Sequence, residues 1–512
     1  MYDLVIRNAL VYDGSGGKPE KLNVAVLGDR IAAVTARNIA RGRRNVDASG
    51  LILTPGFIDM HTHTDLQALR DRDLTAKIHQ GITTDVSGNC GTGVFPYSPS
   101  LPDYTQDVLG TWADWAWTDF PSYKSYLERG GIGINEVFLT SHTALRLAVM
   151  GSSASRPAAP DEIERMSALL SASISQGSLG FSSGLYYSPC VFASREELLA
   201  LLGVVAERGA LFAVHHRCEG NEVESSLEEV LGLAYEAGCR IEVSHLKAIG
   251  KENQWKVPRL LEIIEEYRAK GLDVGFDQYP YDFGSTSLFS LLPPDILGLS
   301  RFEQRLALSI DIDRREIKEE ILSPHGWDSI YEMAGPENIT VLSSDTFPEV
   351  NGKRLVDLGP DPLDALFDIL AEETGSAVMT DVTQSKESLR LIMAHPLMSF
   401  GTDALYSSPK PHPRSYHSTV EFMKYVKGGV MSVEEGIRRM TGANADKIGL
   451  IERGYIREGY KADLLLLDLD GFCESGDDNK GLCLVLVNGK VCYDGIWHSP
   501  RAGEVITRFR RS

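Results

Sequence analysis

The sequence contains no uninterrupted apolar run of the roughly 18 residues that a membrane-spanning helix requires. Its first residues, Met1–Arg7, lack the charged segment followed by an apolar segment that marks a secretory signal peptide, so we expect no export by that route. Basic residues are few compared with acidic ones, 51 against 71, and the formal net charge is −20. This deficit of positive charge disfavours binding to nucleic acids and to anionic membranes.

Cysteine is also scarce, with seven residues scattered through 512. An odd and dispersed set does not indicate a disulfide scaffold, and it predicts a reducing compartment, the cytoplasm. Glycine-rich phosphate loops of the Walker or dinucleotide type do not follow any predicted strand. The remaining composition, 43% hydrophobic and 24% charged, is that of an ordinary globular protein.

The middle of the chain alternates short apolar runs with longer amphipathic segments, which predicts a parallel sheet covered by helices. So many units in one domain favour a closed (β/α)₈ TIM barrel, in the α/β class, over an open sheet. The predicted helices are 161–177, 196–208, 223–237 and 257–270, and the strands that follow them are 179–181, 211–214, 241–243 and 272–276.

Both ends of the chain have a β pattern instead. Residues 1–60 and 416–512 are predicted to form one small β-sandwich domain, split in sequence, with an Asn488-Gly489 hairpin near its end. The barrel is then expected over 61–415, and the irregular stretch 284–338 is interpreted as an insertion into one of its loops.

Metal-binding side chains follow several predicted strands. In Phe-Ile-Asp-Met-His61-Thr-His63, alternation along a strand places both imidazoles on one side. Two such histidines form half of a typical metal site, although an isolated pair is equally compatible with a polar turn.

Three further strand ends carry residues of the same kind. Val214 is followed by His215 and His216, and spacing alone does not decide which of them faces a metal. His245 and Asp403 each end another predicted strand. Because barrel enzymes build their sites from the C-terminal ends of several strands, we expect these side chains to share one metal site.

Cys90 lies in the glycine-rich turn Gly88-Asn-Cys-Gly91, directly after the next strand. A thiolate is a suitable zinc ligand, whereas an ordinary free cysteine behaves as a small buried apolar residue. We assign Cys90 to the metal site and the other six cysteines, including Cys218, to the apolar group.

The string Gly180-Phe-Ser-Ser-Gly184 matches the G-x-S-x-G pattern of serine hydrolases. A nucleophile elbow requires a helix directly after the serine, and here Leu-Tyr-Tyr-Ser-Pro follows, which reads as a loop. A serine nucleophile is therefore disfavoured.

These residues identify a resemblance. The segment PGFIDMHTH with a distal GTDA resembles the amidohydrolase superfamily, and GNCG, GFSSGLYYSP, HHR, SHLK, DQYPY and KPHPRSYHST resemble its N-acyl-D-amino-acid deacylases. The resemblance covers the chain from residue 2 to about 505. It implies hydrolysis of the amide bond of N-acyl-D-amino acids, giving a carboxylate and a free D-amino acid.

The resemblance also implies roles for individual residues. Zinc would be the cofactor. One ion would be held tightly by Cys90, His215 and His245, and a second ion would be held weakly. Cys90 would bridge the two ions, at the position where many amidohydrolases use a carbamylated lysine. Asp403 would act as general base and then general acid. The matching metal positions are His61, His63, Cys90, His215, His245 and Asp403.

A substrate α-carboxylate requires cations close to the metal. Lys247 lies two residues after His245, and Arg414 lies in the loop after Asp403. The resemblance supports both, with Tyr187, as carboxylate contacts. His142 and Ser183 are candidates for residues that contact the site residues without contacting the metal or the substrate.

Two alternatives remain at this stage. One is an amidohydrolase for cyclic amides or dipeptides, hydantoinase-like or D-aminopeptidase-like, and the other is a scaffold that has lost catalysis. The expected partner is a small N-acyl amino acid rather than a nucleic acid or a membrane. The motifs specify neither the acyl group and side chain of this substrate nor the oligomeric state of the protein. The segment Met379–Glu387 and the insertion differ from the family's sequence pattern. The side chain that the substrate carries is therefore not determined by the resemblance.

Overall fold

The computed structural model describes residues 1–110, 113–474 and 480–510. Strands β1 to β20 are, in chain order, Leu4–Val11, Glu20–Leu27, Arg30–Thr35, Arg44–Asp47, Ile52–Pro55, Phe57–Asp59, Ile82–Ser87, Asn135–Phe138, Thr140–Ser141, Gly180–Gly184, Leu211–His215, Arg240–Val243, Val274–Gln278, Phe283–Ser287, Ile339–Ser344, Ala377–Val382, Met398–Phe400, Leu464–Leu467, Leu482–Val487 and Lys490–Tyr493.

Helices α1 to α19 are, in the same order, Gln67–Arg70, Thr75–Ile78, Leu101–Leu109, Phe120–Gly130, His142–Met150, Pro160–Ser175, Arg195–Glu207, Val223–Ala237, Val257–Ala269, Pro294–Leu297, Arg301–Ala307, Asp311–Leu322, Ile330–Ala334, Pro362–Glu372, Lys386–Ala394, Arg414–Lys427, Val433–Met440, Gly442–Ile448 and Leu469–Cys473. Short 3₁₀ helices occupy Gly151–Ser153, Cys190–Phe192, Gln254–Lys256, Leu288–Leu291, Pro336–Asn338, Pro348–Val350 and Leu355–Asp357. Among the described residues, no helix combines the length and apolarity needed to cross a bilayer.

The parallel strands close into a barrel in the order β6, β7, β8 with β9, β10, β11, β12, β13 and β17. Leu139, between β8 and β9, donates its N–H to Ser87 O, so those two short strands act as one. The ring closes where Met60 N donates to Phe400 O at 3.1 Å and Thr62 bridges Ala404. The predicted TIM barrel is confirmed.

Helix α7 shows why the sequence alternates as it does. Ser194 caps it by accepting the N–H of Glu197, and its apolar stripe Leu198, Leu201, Leu202 and Val205 is buried against the sheet. Burying such a stripe removes apolar surface from water, which is the main energy that holds helices onto a parallel sheet.

The two ends of the chain meet in a separate sheet with the order β20, β19, β18, β5, β1, β2 and β3. Strand β18 from the C-terminal part pairs antiparallel with β5 from the N-terminal part. At the turn between β19 and β20, Asn488 and Gly489 both have positive φ, +46° and +74°, as a two-residue hairpin requires.

Two boundaries differ from those expected. The first barrel strand begins at Phe57, not after residue 60, because Pro55 ends β5 and only Gly56 separates the two strands. The segment outside the barrel also continues beyond residue 338, since β14 pairs with β16 and β16 pairs with β15 as a three-stranded antiparallel sheet. This longer insertion has a core of its own, which includes Phe289, Ile317, Val341, Phe367 and Leu370.

A buried ion network fastens the barrel just below its open end. Lys77 Nζ lies 2.5 Å from Asp59 Oδ2 and 3.4 Å from Asp85 Oδ2, and it donates to Thr62 Oγ1. Thr402 donates its N–H and its hydroxyl to the same Asp59. Asp59 is the last residue of β6, and Thr402 follows β17. The network therefore joins the two strands at which the barrel closes.

We predict that Lys77→Met lowers the free energy of unfolding by about 3–5 kcal/mol, because it leaves buried carboxylates without a cation. Chemical or thermal unfolding checks this, with Lys124→Met as a control. Lys124 pairs with Glu128 on an accessible helix face, where such a pair contributes roughly 0.3–0.5 kcal/mol. Equal effects of the two substitutions would contradict the assignment.

Candidate active site

The open end of the barrel gathers the predicted metal ligands from five different strands. Each lies at or just after the C-terminal end of its strand, where the chain turns toward the adjoining helix. They are His61 and His63 after β6, Cys90 after β7, His215 at the end of β11, His245 after β12 and Asp403 after β17.

Their ligand atoms form two groups, each with all members within 4.8 Å of one another. One group is His61, His63, Cys90 and Asp403, and the other is Cys90, His215 and His245. Cys90 belongs to both, so its sulfur lies between them. All members are buried.

The spacing suits a tetrahedral metal. Cys90 Sγ lies 3.2 Å from His61 Nε2 and 3.4 Å from His245 Nε2. His215 Nδ1 lies 3.0 Å from His245 Nε2, and His63 Nε2 lies 3.2 Å from Asp403 Oδ1. A four-coordinate site with bonds of about 2.0–2.3 Å separates its ligand atoms by about 3.3–3.8 Å, so small adjustments would admit an ion.

Carboxylates behind the histidines set the orientation of the rings. His61 Nδ1 lies 3.0 Å from Asp277 Oδ2, which turns Nε2 toward Cys90. Glu219 Oε1 lies 3.1 Å from His245 Nδ1, which likewise turns its Nε2 toward the sulfur. Such outer carboxylates fix the tautomer and raise the basicity of a ligating imidazole.

The electrostatics favour the ligand form of Cys90. Burial raises the pKa of the thiol, but His61 and His245 outweigh it and hold that pKa well below its ordinary range. For Asp403, burial likewise raises the pKa, and Arg414 with His61 brings it well below the usual value. Both shifts favour the ionised form, which is the form that binds a metal.

Three of these residues have an unusual backbone. Cys90, His245 and Asp403 have φ of +51°, +33° and +50°, in the left-handed region that residues with a Cβ rarely adopt. Strained backbone of this kind is concentrated at functional sites. Nearby, a Cβ on Gly184 would lie only 2.1 Å from Cys90 O, so the loop of Cys90 can lie there only against a glycine.

The structure distinguishes the two adjacent histidines. His215 enters the metal cluster, whereas His216 Nδ1 lies 3.0 Å from Ser226 Oγ on the other face. Burial lowers the pKa of His216 to about 3, as expected for a neutral ring in the core.

His142 and Ser183 contact each other behind the site. His142 Nδ1 lies 2.8 Å from Ser183 Oγ, and its Nε2 lies 2.8 Å from Glu197 Oε1. Ser182, the serine of the G-x-S-x-G string, accepts the N–H of Gly91 and donates to Gly88 O. Its hydroxyl thus clamps the loop that carries Cys90.

The predicted carboxylate contacts lie beside the clusters. Arg414 NH1 is 2.9 Å from Asp403 Oδ2, and none of the described residues accepts a hydrogen bond from its buried Nε. Lys247 Nζ is 2.6 Å from Glu219 Oε1, and Tyr187 OH is 3.4 Å from Thr286 Oγ1. Burial raises the pKa of Tyr187 well above its usual value, so its hydroxyl stays protonated.

Two cavities reach these residues. The outer cavity, of about 570 Å³, contacts His63, Cys90, Asp403, Tyr187 and Arg414. The inner cavity, of about 50 Å³, extends past Lys247 and Arg414 into the inserted segment. Neither His142 nor Ser183 lines them.

Glu219 was not among the residues predicted from the sequence. Its carboxylate lies within 3.6 Å of side-chain nitrogens of His215, His245 and Lys247. Its only signal was a carboxylate four residues after His215 at a strand end. Asp381, which lines the inner cavity, lies in the divergent segment Met379–Glu387, but nothing in the sequence singled out this residue within it.

We predict that the purified protein contains zinc and that Cys90→Ala removes most of it, since this one side chain belongs to both clusters. Elemental analysis of the dialysed protein measures the content. Cys218→Ala is the matched control, because that thiol is buried outside both clusters and should leave zinc unchanged. Full zinc content in Cys90→Ala would contradict the assignment.

Comparison with known proteins identifies the family of this chain. A family model described as "Amidohydrolase family" matches residues 44–290 and 349–493. The N-acyl-D-glutamate deacylase of Alcaligenes xylosoxydans xylosoxydans is 32% identical, over 99% of this chain and 96% of its own. The D-aminoacylase of the same organism is 29% identical, over 99% and 98%.

Among solved structures, an N-acyl-D-glutamate deacylase from Bordetella bronchiseptica superimposes with a TM-score of 0.85 at 30% identity, covering 99% of this chain and 100% of that one. That structure holds zinc and a phosphonate inhibitor that mimics the tetrahedral intermediate. The match of the family model over most of the length, together with these full-length relatives, shows that this chain belongs to the amidohydrolase family.

Proposed function

We propose that this protein hydrolyses N-acyl-D-amino acids to a carboxylate and a free D-amino acid. The observation that carries the proposal is the thiolate of Cys90, shared by two ligand clusters next to Asp403 and to two buried cations, Lys247 and Arg414. The relatives named above, which act on N-acyl-D-amino acids, support the same substrate class.

We assign the cofactor as zinc, because thiolate with imidazole is its typical ligand set. Cys90, His215 and His245 would hold one ion; Cys90, His61, His63 and Asp403 would hold a second, weaker one. When bound, zinc supplies Lewis acidity toward water and the amide carbonyl at neutral pH.

Asp403 is proposed as general base and general acid. Its carboxylate is ionised, lines the outer cavity and lies 3.2 Å from His63 Nε2. In that form it accepts a proton from the attacking water and returns it to the nitrogen of the leaving amine. Its contact with Arg414 keeps it ionised in spite of burial.

Arg414, Lys247 and Tyr187 are proposed to hold the α-carboxylate of the substrate. The unpartnered Nε of Arg414 and the protonated hydroxyl of Tyr187 each offer a donor, and Lys247 adds positive charge. Fixing the carboxylate, the carbonyl and the side chain at three separate points would select one enantiomer.

The proposed partner is thus a small molecule, and the proposed location is the cytoplasm. The seven cysteines, all among the described residues, are unpaired, although six of them are buried where oxidation would be slow. A reducing compartment would keep Cys90 available as a ligand.

A hydrolysis screen tests the proposal. We expect release of amine from at least one N-acetyl- or N-formyl-D-amino acid and much slower release from its L-enantiomer. Hydantoins, dihydropyrimidines and D-dipeptides are included as rival substrates. Turnover confined to those rivals or to L-compounds would overturn the assignment.

Asp403→Asn should lower kcat by about 10²–10⁴-fold, the usual contribution of general acid–base catalysis. Zinc bound by Cys90, His215 and His245 should remain, since Asp403 is not in that cluster. Asp470→Asn is the control, because that carboxylate is 81% exposed and pairs with Lys427, far from the proposed site. Unchanged kcat in Asp403→Asn would reject this role.

A further inference from the structure

The inner cavity has an unequal set of charges. Its lining includes two cations, Lys247 and Arg414. It also includes four acidic residues, which are Glu219, Asp328, Asp381 and Asp403. The excess of negative charge is unexpected in a pocket that must receive an anionic substrate.

Most of these charges are already engaged. Glu219 pairs with Lys247 at 2.6 Å, and Asp403 pairs with Arg414 at 2.9 Å. Asp328 accepts the backbone N–H groups of Gly220 and Asn221, at 2.6 and 3.1 Å, and so caps a loop. Each cation is thus matched by one carboxylate. No described residue accepts a hydrogen bond from Arg414 Nε, so this donor remains for the α-carboxylate of the proposed substrate.

Asp381 differs from the other three. It lies on β16 opposite Gly284 of β14, and only 4% of it is exposed. Among the residues that the structure describes, no side chain is found to donate a hydrogen bond to its carboxylate. Burial raises its pKa to about 6, against the opposing effect of Lys247, so the group is ionised at neutral pH.

Because the buried carboxylate of Asp381 has no side-chain donor among the described residues, we expect it to affect which substrate side chains the cavity accepts. A substrate with its α-carboxylate at Arg414 and Lys247 carries its side chain on the adjoining Cα, within reach of the same cavity. A side chain with a hydrogen-bond donor would satisfy Asp381, whereas a second carboxylate would meet like charge.

The outer cavity does not reverse this balance. Apart from the residues that it shares with the inner one, the charged members of its described lining are Arg301, Asp103 and Glu303. One cation against two carboxylates gives no net positive charge to attract an acidic side chain.

We propose that Asp381 is a specificity-determining residue that selects D-amino acids whose side chains donate a hydrogen bond or carry positive charge, and that excludes acidic side chains. This inference rests on the proposed deacylation of N-acyl-D-amino acids and names the side-chain class that the same site accepts.

The test compares two nearly isosteric substrates, N-acetyl-D-glutamine and N-acetyl-D-glutamate, by kcat/KM. We expect the wild-type enzyme to prefer glutamine by at least about 100-fold, because the side-chain carboxylate of glutamate would lie against like charge, which an interface disfavours strongly. Asp381→Asn should reduce that ratio by at least about tenfold, and it should also lower kcat/KM for N-acetyl-D-lysine.

Asp368→Asn is the matched control, because it removes one negative charge from the same inserted segment at a position that is 68% exposed. It should leave the ratio unchanged. Should Asp381→Asn not fold, Asp381→Ser tests the same loss of charge, and the wild-type ratio remains a test by itself.

The outcomes separate this inference from the proposed function. Equal or faster hydrolysis of the glutamate compound by the wild-type enzyme would overturn the charge selection and leave deacylation intact. An unchanged ratio in a folded Asp381→Asn enzyme would overturn the role of Asp381. Failure to hydrolyse any D-substrate would overturn both proposals.

Discussion

The thiolate of Cys90 is the group on which the site depends. Five strands bring imidazoles and a carboxylate around it, and it is the member common to both ligand clusters. Burial alone would keep this thiol protonated, so the ionised sulfur relies on His61 and His245 beside it. Its position in turn requires a glycine at the end of β10, because a Cβ on Gly184 would collide with the carbonyl oxygen of Cys90.

Around this centre, charges are compensated one by one. Asp277 and Glu219 orient histidines, Arg414 neutralises Asp403, and Lys247 neutralises Glu219. The chain as a whole has a net charge of −20, yet the proposed binding site for an anion is assembled from two local cations. In a low-dielectric pocket these close contacts outweigh distant surface charge, which water and salt screen.

The barrel and the inserted segment contribute different things. The barrel supplies every candidate ligand and the proposed general base, on strand ends that are fixed by the sheet. The insertion, which has its own core, supplies part of the cavity wall, including Ser285, Met333 and Asp381. This division places the chemistry on rigid strands and leaves the choice of substrate to a segment that can change without disturbing the ligands.

The sequence by itself determined the order of elements and most of the candidate ligands. Helices α6 to α9 lie within a residue or two of their predicted bounds, since alternating periodicity is a local signal. Five candidate ligands were predicted because each follows an apolar strand pattern that can be recognised in the sequence. They are His61, His63, Cys90, His245 and Asp403. Strand spacing left His215 and His216 undecided; the resemblance favoured His215, and the structure places that ring in the cluster. Only the tertiary structure brought Glu219 and Asp381 to the site and extended the insertion beyond residue 338. Those features depend on contacts between residues far apart in the chain. Neither the pairing of β14 with β16 nor the side of a strand that faces a cavity produces a periodic pattern that could be recognised in the sequence.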